Sequence, residues 1–404
     1  MLNGISILES YQSFIQENWE KAGFDNPTAV QSEAMPLILE GRDIIASSPT
    51  GTGKTLAYLL PLLQRINADN QGVQAVILAP SRELVMQILQ EIQKWSEGTQ
   101  ILAASFIGGA NLKRQLEKLK KRPQVVVGTP GRIYELMMQK KLKMHEVKMI
   151  VLDEGDQLLL PEYKQAISGI VKATLSDRQL ILFSATISPE AVQRATELMK
   201  NPQLINITKK ESPSVDYQYF LCDAREKMDV LRKISVAGTF QALVFVRDIG
   251  NLSVLVEKLQ YKDVSVGQLH SDLKKEERAK AIRLFQQGEI QFLLVTEVAA
   301  RGLDLPGLTH VIHYDFPETI SQFVHRSGRT GRLGSSSGTV ISIVTEREER
   351  KLKQICRELN VKPHQKVLVG GKIEDAKIGV DRGDFRKSDK KFHGYKQRNK
   401  NKRS

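Results

Sequence analysis

Short apolar runs of strand length recur along the chain, each closed by a turn or a polar residue. "AVILAP" (75–80), "VVVGTP" (125–130), "MIVLDE" (149–154) and "LILFSAT" (180–186) are nearly unbroken apolar stretches rich in branched side chains. Continuous rather than alternating apolarity marks strands buried on both faces. Between them lie segments with apolar residues at helical spacing, such as "SRELVMQILQEIQKWS". Strand and helix in alternation predict an α/β fold, a parallel sheet with helices on both faces. The rhythm restarts with "ALVFV" (242–246), "FLLVT" (292–296), "THVIHYD" (309–315) and "GTVISIV" (338–344). The halves share this rhythm but no repeated sequence. Between them, the polar, proline-containing "TKKESPS" (208–214) reads as a linker.

Length agrees with the pattern. A chain of 404 residues exceeds what one compact core usually holds, and two domains of about 200 residues are expected. The division expected is a leading segment (1–33), an α/β domain (34–207), a linker (208–215), a second α/β domain (216–365) and an extension (366–404). The end of that extension, "FRKSDKKFHGYKQRNKNKRS" from Phe385, holds nine Lys or Arg against one acid, Asp389. It has almost no aliphatic content and is expected to be disordered.

Charge changes the picture. The net charge of +13 favours a polyanionic partner, nucleic acid or membrane surface, over a neutral small molecule. The two cysteines, Cys222 and Cys356, lie far apart, with neither a disulfide framework nor metal-ligand spacing, which fits a reducing interior. The opening "MLNGISILESYQSFIQENWE" lacks a basic segment followed by an apolar one. No run reaches the roughly 18 apolar residues of a membrane span. A soluble, cytoplasmic protein without a membrane partner is expected, acting as a monomer.

Candidate chemistry begins at "SPTGTGKT" (48–55), which follows the strand-like "DIIAS" and precedes the helical "LAYLLPLLQRI". Strand, glycine loop and helix form the context of a phosphate-binding loop. Gly51 and Gly53 let backbone N–H groups turn toward phosphate oxygens, and the helix adds its positive end. Ser48, Pro49, Thr50 and Thr52 complete the loop. Lys54 would neutralise the β- and γ-phosphates of ATP, and the Thr55 hydroxyl would ligate Mg²⁺. The general pattern has Gly where this chain has Ser48.

Such a loop needs carboxylates on a neighbouring strand. "VKMIVLDEGDQLLLPEY" (147–163) supplies them inside otherwise apolar sequence. Asp153, at the strand end, would hold Mg²⁺ through water. Glu154 would orient and deprotonate the water that attacks the γ-phosphate. The carboxyl edge of a parallel sheet is where ligands of such folds bind.

The ordered series "GFDNPTAVQ", "SPTGTGKT", "PSREL", "GG" (108–109), "TPGR", "DEGD", "SAT", "VFV", "TEVAARGLD" and "HRSGRTGR" resembles the DEAD-box RNA helicases. The resemblance covers roughly residues 10–360. It implies two tandem RecA-like P-loop domains, ATP between them and RNA across both. It makes residues 1–33 the adenine-recognition segment. There Gln31 matches a glutamine that reads the adenine edge, Phe24 an aromatic that stacks on the ring, and Phe14 an isolated upstream aromatic. An amide offers one donor and one acceptor, which suits adenine. Arg329 and Arg332 match arginine fingers, and Asp304 a contact to the ribose. Ser184 and Thr186 match couplers between the ATP and RNA sites. His325 and Arg326 are expected to bridge to the acidic motif rather than to act chemically, and Asp156 of that motif is counted with His325 among the couplers. For RNA, the resemblance points to Arg82, Gly109, Thr129 and Arg132 in the first domain. In the second it points to Arg247, His270, Thr296 and Arg301. Arginine forks suit phosphate oxygens, and 2′-OH contacts separate RNA from DNA. In the tail, Phe385, Phe392 and Tyr395 lie among cations, a composition suited to stacking on unpaired bases.

The sequence departs from the family at several positions. Gly155 stands where Ala is usual, Glu297 where Asp is usual, and Ser327 where an apolar residue is common. Ser48 and Ser81 are milder changes. Arg247 and Asp248 replace a small polar pair. None removes a residue the chemistry needs. The function implied is RNA-stimulated ATP hydrolysis that melts short RNA duplexes, with ribosome assembly, ribosomal RNA and growth in the cold as the expected setting. A DNA translocase and an ATP-gated RNA clamp remain alternatives.

Overall fold

The computed structural model describes residues 8–49, 51–109, 111–207, 215–238, 240–300, 303, 305, 307–331 and 337–376. Residues 208–214 of the expected linker (208–215), the tail from residue 377, and Thr50, Arg301, Asp304 and Arg332 therefore lie outside the described residues, whereas Val215 already belongs to a strand.

Two sheets are present among the described residues. The first holds β1 (Ile44–Ser47), β2 (Ala75–Leu78), β3 (Ala103–Phe106), β4 (Val125–Gly128), β5 (Met149–Asp153), β6 (Gln179–Ser184) and β7 (Gln203–Asn206). Its order is β3-β4-β2-β5-β6-β1-β7, and every pairing is parallel. The second holds β8 (Val215–Leu221), β9 (Ala242–Phe245), β10 (Val266–Leu269), β11 (Phe292–Val295), β12 (His310–His313), β13 (Gly338–Val344), β14 (Pro363–Val369) and β15 (Lys372–Asp375). Its order is β10-β11-β9-β12-β13-β8-β14-β15, parallel except for the last pair.

Alternate residues of each central strand point into different cores. Ile44, Ala46, Ala75, Ile77 and Val151 pack into one face of the first sheet. Ile45, Val76, Leu78, Ile150 and Leu152 pack into the other. The second sheet divides likewise, with Leu243 and Val311 on one side and Val244 and Ile312 on the other. Burial on both faces is why these strands read as continuous apolar runs. Both units are RecA-like α/β domains. Their sheets place strand ends and following loops at one edge, where the candidate residues collect.

The second domain runs past the expected boundary at residue 365. β14 and β15 form a hairpin reaching Asp375, with Lys366 Nζ 2.6 Å from Asp375 Oδ1. Gly370 and Gly371, at φ +57° and +81°, make the turn. Leu368 and Ile373 pack on the second sheet's core. The glycine pair between two short apolar runs was the available turn signal.

Candidate active site

β1 feeds the phosphate loop, and the helix Lys54–Arg65 leaves it. Gly51 and Gly53 have φ of +79° and +86°, backbone conformations that favour glycine. At Gly53 a Cβ would also sit 2.6 Å from Gln31 Nε2. Ser48, the departure from the usual glycine, is fully buried. Thr52 Oγ1 donates to Pro49 O at 2.8 Å, so the Ser48 hydroxyl donates to Thr52 at 2.7 Å. The substitution thus adds a tie within the loop.

Two residues of the leading segment hold the loop from outside. Thr28 Oγ1 donates to Thr52 O at 2.7 Å, and Gln31 Nε2 donates to Gly53 O at 3.2 Å. Gln31 Oε1 accepts from Thr28 N at 2.9 Å. The proposed adenine reader is therefore locked against the phosphate loop. Phe24 is 43% exposed, and Phe14 packs at the margin of the first domain's core.

Lys54 Nζ donates to Ser48 O and Pro49 O, both at 2.7 Å. Burial pushes its pKa down to about 8, against the pull of Asp153, Glu154 and Asp156. Asp153 is pushed up to about 6, first by burial and then by the Glu154 charge. Both Asp153 oxygens are anchored: Tyr58 Oη donates to Oδ2 and Glu154 N to Oδ1, each at 2.9 Å. Glu154 itself has φ +54°, strained for a non-glycine residue, and its Oε2 is buried without a partner. Burial thus opposes both charges of the site. A phosphate chain beside Lys54 and a cation beside Asp153 would restore them. Among the described residues no group of three or more His, Cys, Asp or Glu could hold a metal. A cation here would need Thr55, Asp153, water and phosphate oxygens together, a donor set that suits Mg²⁺.

The residues expected to couple the sites meet across the two domains. Ser184 Oγ lies 2.6 Å from Asp156 Oδ1 and 2.7 Å from Thr186 O. His325 Nε2 of the second domain lies 3.6 Å from Asp156 Oδ2, with both side chains under 10% exposed. Ser321 Oγ also donates to Asp156 Oδ2, and Gln157 Nε2 reaches Ser321 Oγ at 3.2 Å. Elsewhere on the interface Arg278 NH1 lies 3.6 Å from Glu83 Oε1. Arg329 sits close enough to Lys54 to lower its pKa. Its Nε donates to His325 O and its NH1 to Leu303 O, each at 3.3 Å.

Arg326 corrects an expectation, since it does not reach the acidic motif. Its Nε lies 2.6 Å from Glu297 Oε2, its NH1 donates to Asp315 O at 2.8 Å, and its guanidinium lies over the Phe245 ring. The carboxylate of Glu297, the residue where Asp is usual, is what holds it inside the second domain.

The RNA candidates divide by exposure. Arg82, at the start of the helix Arg82–Trp95, is exposed and lies over Gly109, where a Cβ would meet its NH2 at 2.3 Å. Arg247 is also exposed, 3.9 Å from Glu318. Arg132 is 10% exposed and pairs with Glu135 at 3.3 Å. Thr129 precedes the helix Pro130–Met138 and is half-buried. His270 and Thr296 are nearly buried, and His270 Nδ1 has no partner.

Gly155 has a packing reason. A Cβ there would lie 2.5 Å from Leu182 Cγ and 2.6 Å from its Cδ2, in a fully buried part of β6. Restoring the family's usual alanine overpacks this contact, which costs about 1–3 kcal/mol. Gly155→Ala is therefore expected to lower Tm by roughly 3–10 °C, and Leu182→Val in the same background to recover part of the loss. Thermal denaturation of both variants checks this; an unchanged Tm in the single variant would refute it.

Sequence reasoning missed Tyr58, Ser321, Gln157 and the Glu83–Arg278 pair. Tyr58 reads as one more core residue of an apolar helix, and only its hydroxyl hints otherwise. The others pair across more than a hundred residues, beyond the reach of local spacing.

A phosphate loop and two acids alone would fit many ATPases. Here a second RecA-like sheet brings basic side chains to the same cleft, which defines a two-domain helicase-type P-loop NTPase. Residues 28–195 match the DEAD/DEAH box helicase family, and residues 226–334 match the helicase conserved C-terminal domain. The chain is 55% identical over 369 residues to the probable ATP-dependent RNA helicase YfmL of Bacillus subtilis, covering 91% of this chain and 98% of that relative. It is 51% identical to the DEAD-box ATP-dependent RNA helicase CshC of Bacillus cereus, over 88% of this chain and 91% of that one. Among solved structures, Saccharomyces cerevisiae Dbp5 bound to RNA and ADP BeF3 is similar, with TM-score 0.81 and 30% identity. That match covers 90% of this chain and 95% of the other. The chain belongs to the DEAD-box helicase family.

Proposed function

We propose that the chain is an ATP-dependent RNA helicase that couples ATP hydrolysis to local melting of short RNA duplexes. The observation that carries this reading is the unpartnered, buried carboxylate oxygen of Glu154, set beside Lys54 in a cleft that both domains close. Glu154 takes the proton of the attacking water. Lys54 exchanges its two carbonyl partners for β- and γ-phosphate oxygens. Thr55 and Asp153 would hold Mg²⁺, which would supply positive charge against the phosphates. Arg329, with Arg332, meets the charge that develops on the γ-phosphate. Thr50, Gly51, Thr52 and Gly53 line the phosphates, Gln31 and Phe24 hold adenine, and Asp304 holds the ribose. Arg82, Gly109, Thr129, Arg132, Arg247, His270, Thr296 and Arg301 track the RNA backbone, with little sequence preference.

Asp156 links these sites. It is shared by Ser184 on its own domain and by Ser321 and His325 on the other. Domain opening after phosphate release breaks the second set and releases RNA. A neighbour solved with RNA and an ATP analogue, and relatives named as ATP-dependent RNA helicases, support the RNA substrate. The expected surroundings are the cytoplasm and ribosome assembly. No helix among the described residues is long and apolar enough to cross a membrane. The basic tail raises RNA affinity through its cations and aromatics.

The test is displacement of one strand from a short RNA duplex with ATP and Mg²⁺. Wild type is expected to separate the strands. Lys54→Ala is expected to lose nucleotide binding by about 3 kcal/mol, on the order of a hundredfold, because two charge-assisted bonds disappear. Binding of a fluorescent ATP analogue checks the second point; unchanged affinity would remove Lys54 from the phosphate site.

A further inference from the structure

We infer that Trp19 and Trp95 fix the angle of the adenine-stacking surface and thereby set the preference for adenine over other bases. The inference rests on the reading of Phe24 and Gln31 as the adenine site and adds the residues that make it selective.

The two tryptophans of the chain converge on Phe24. Phe24 lies near-parallel to Trp95, at 16° and 6.4 Å between centroids, and edge-on to Trp19, at 67° and 5.1 Å. The indoles lie 6.3 Å apart. Trp95 is 1% exposed and Trp19 is 6% exposed, whereas Phe24 keeps 43% of its surface open. Phe24 is therefore a half-open ring on a closed aromatic base. Trp95 is itself pinned, with its Nε1 donating to Glu91 Oε2 and its carbonyl accepting from Asn18 Nδ2, each at 3.2 Å. It ends the helix that begins at Arg82, so the base of the platform moves with a rigid element.

A phenyl ring stacks on any base, so stacking alone selects little. Selection comes from the amide that reads the base edge. Gln31 is held at Thr28 N and Gly53 O, so it cannot follow a base that tilts. The platform must present the adenine edge to a fixed reader. Loosening Phe24 then costs the edge contact and leaves phosphate binding intact. Aromatic pairs of this kind contribute enough for about a two- to tenfold effect.

The experiment has two arms, both without RNA for binding and with RNA for turnover. In wild type, tryptophan emission is followed during titration with ATP and with inorganic tripolyphosphate. ATP is expected to change the emission, and tripolyphosphate to leave it unchanged. An equal response to both overturns the proposal, and this arm needs no variant to fold. In the second arm, Trp95→Phe, Trp95→Leu and Trp19→Phe are compared with Phe24→Ala for kcat/KM on ATP and GTP. The ATP:GTP ratio is expected to fall about two- to tenfold in the tryptophan variants through KM, with kcat kept. If only Phe24→Ala lowers the ratio, the adenine site stands and the role given to the tryptophans falls. If Phe24→Ala also leaves it unchanged, the adenine reading itself fails.

Discussion

Glu154→Gln is expected to bind ATP as wild type does and to hydrolyse it about 10²–10⁴-fold more slowly. The amide is nearly isosteric and keeps the strained turn after β5, so the phosphate loop and Lys54 are undisturbed. It removes the group proposed to accept the proton. Glu154 Oε2 is buried with no partner, so no other contact compensates for or masks the loss. The neighbouring acid, Asp153, has another role in the proposed mechanism, holding the cation, and its oxygens are fixed in place by Tyr58 and the Glu154 N–H. The burst of a single turnover, compared with equilibrium ATP binding, separates the two effects. Normal turnover in this variant would show that another group activates the water.

Arg329→Ala is expected to lower kcat about 10³-fold while KM for ATP changes little. Arg329 belongs to the second domain, yet its charge is felt at Lys54 in the first. Its guanidinium is directed by the His325 and Leu303 carbonyls, next to the helix that carries His325 to Asp156. In the proposed mechanism, closing the domains and placing this cation are one event. Arg329→Lys keeps the charge without the planar fork and is expected to recover only part of the rate. Steady-state kinetics at saturating RNA checks both variants. A loss confined to KM would make Arg329 a binding residue.

Much of this was legible in the chain, for identifiable reasons. β2, β4, β5, β6, β9, β11, β12 and β13 stand out because burial on both faces leaves little polar interruption. β3, "AASF", and β10, "VGQL", sit at sheet edges and bury fewer apolar side chains, so their runs are weak. β7 exposes alternate residues, and Leu204 is 65% exposed. The phosphate loop and the acids were legible because their spacing is local. Arg326 was misplaced because the motif alone cannot say which domain a side chain turns toward; Glu297 and Phe245 decide it. Why Gly stands at 155 where Ala is usual is not legible in the motif; the reason is Leu182, which leaves no room for a methyl group.

The most direct measurement of the central claim is steady-state ATP hydrolysis with no nucleic acid, with single-stranded RNA, and with DNA of the same sequence. Chains intact and cut before Phe385 should be compared. RNA is expected to stimulate both chains, DNA to stimulate neither, and the cut chain to need more RNA for half-stimulation. Equal stimulation by DNA would point to a DNA translocase. RNA binding that depends on ATP without turnover would point to a clamp.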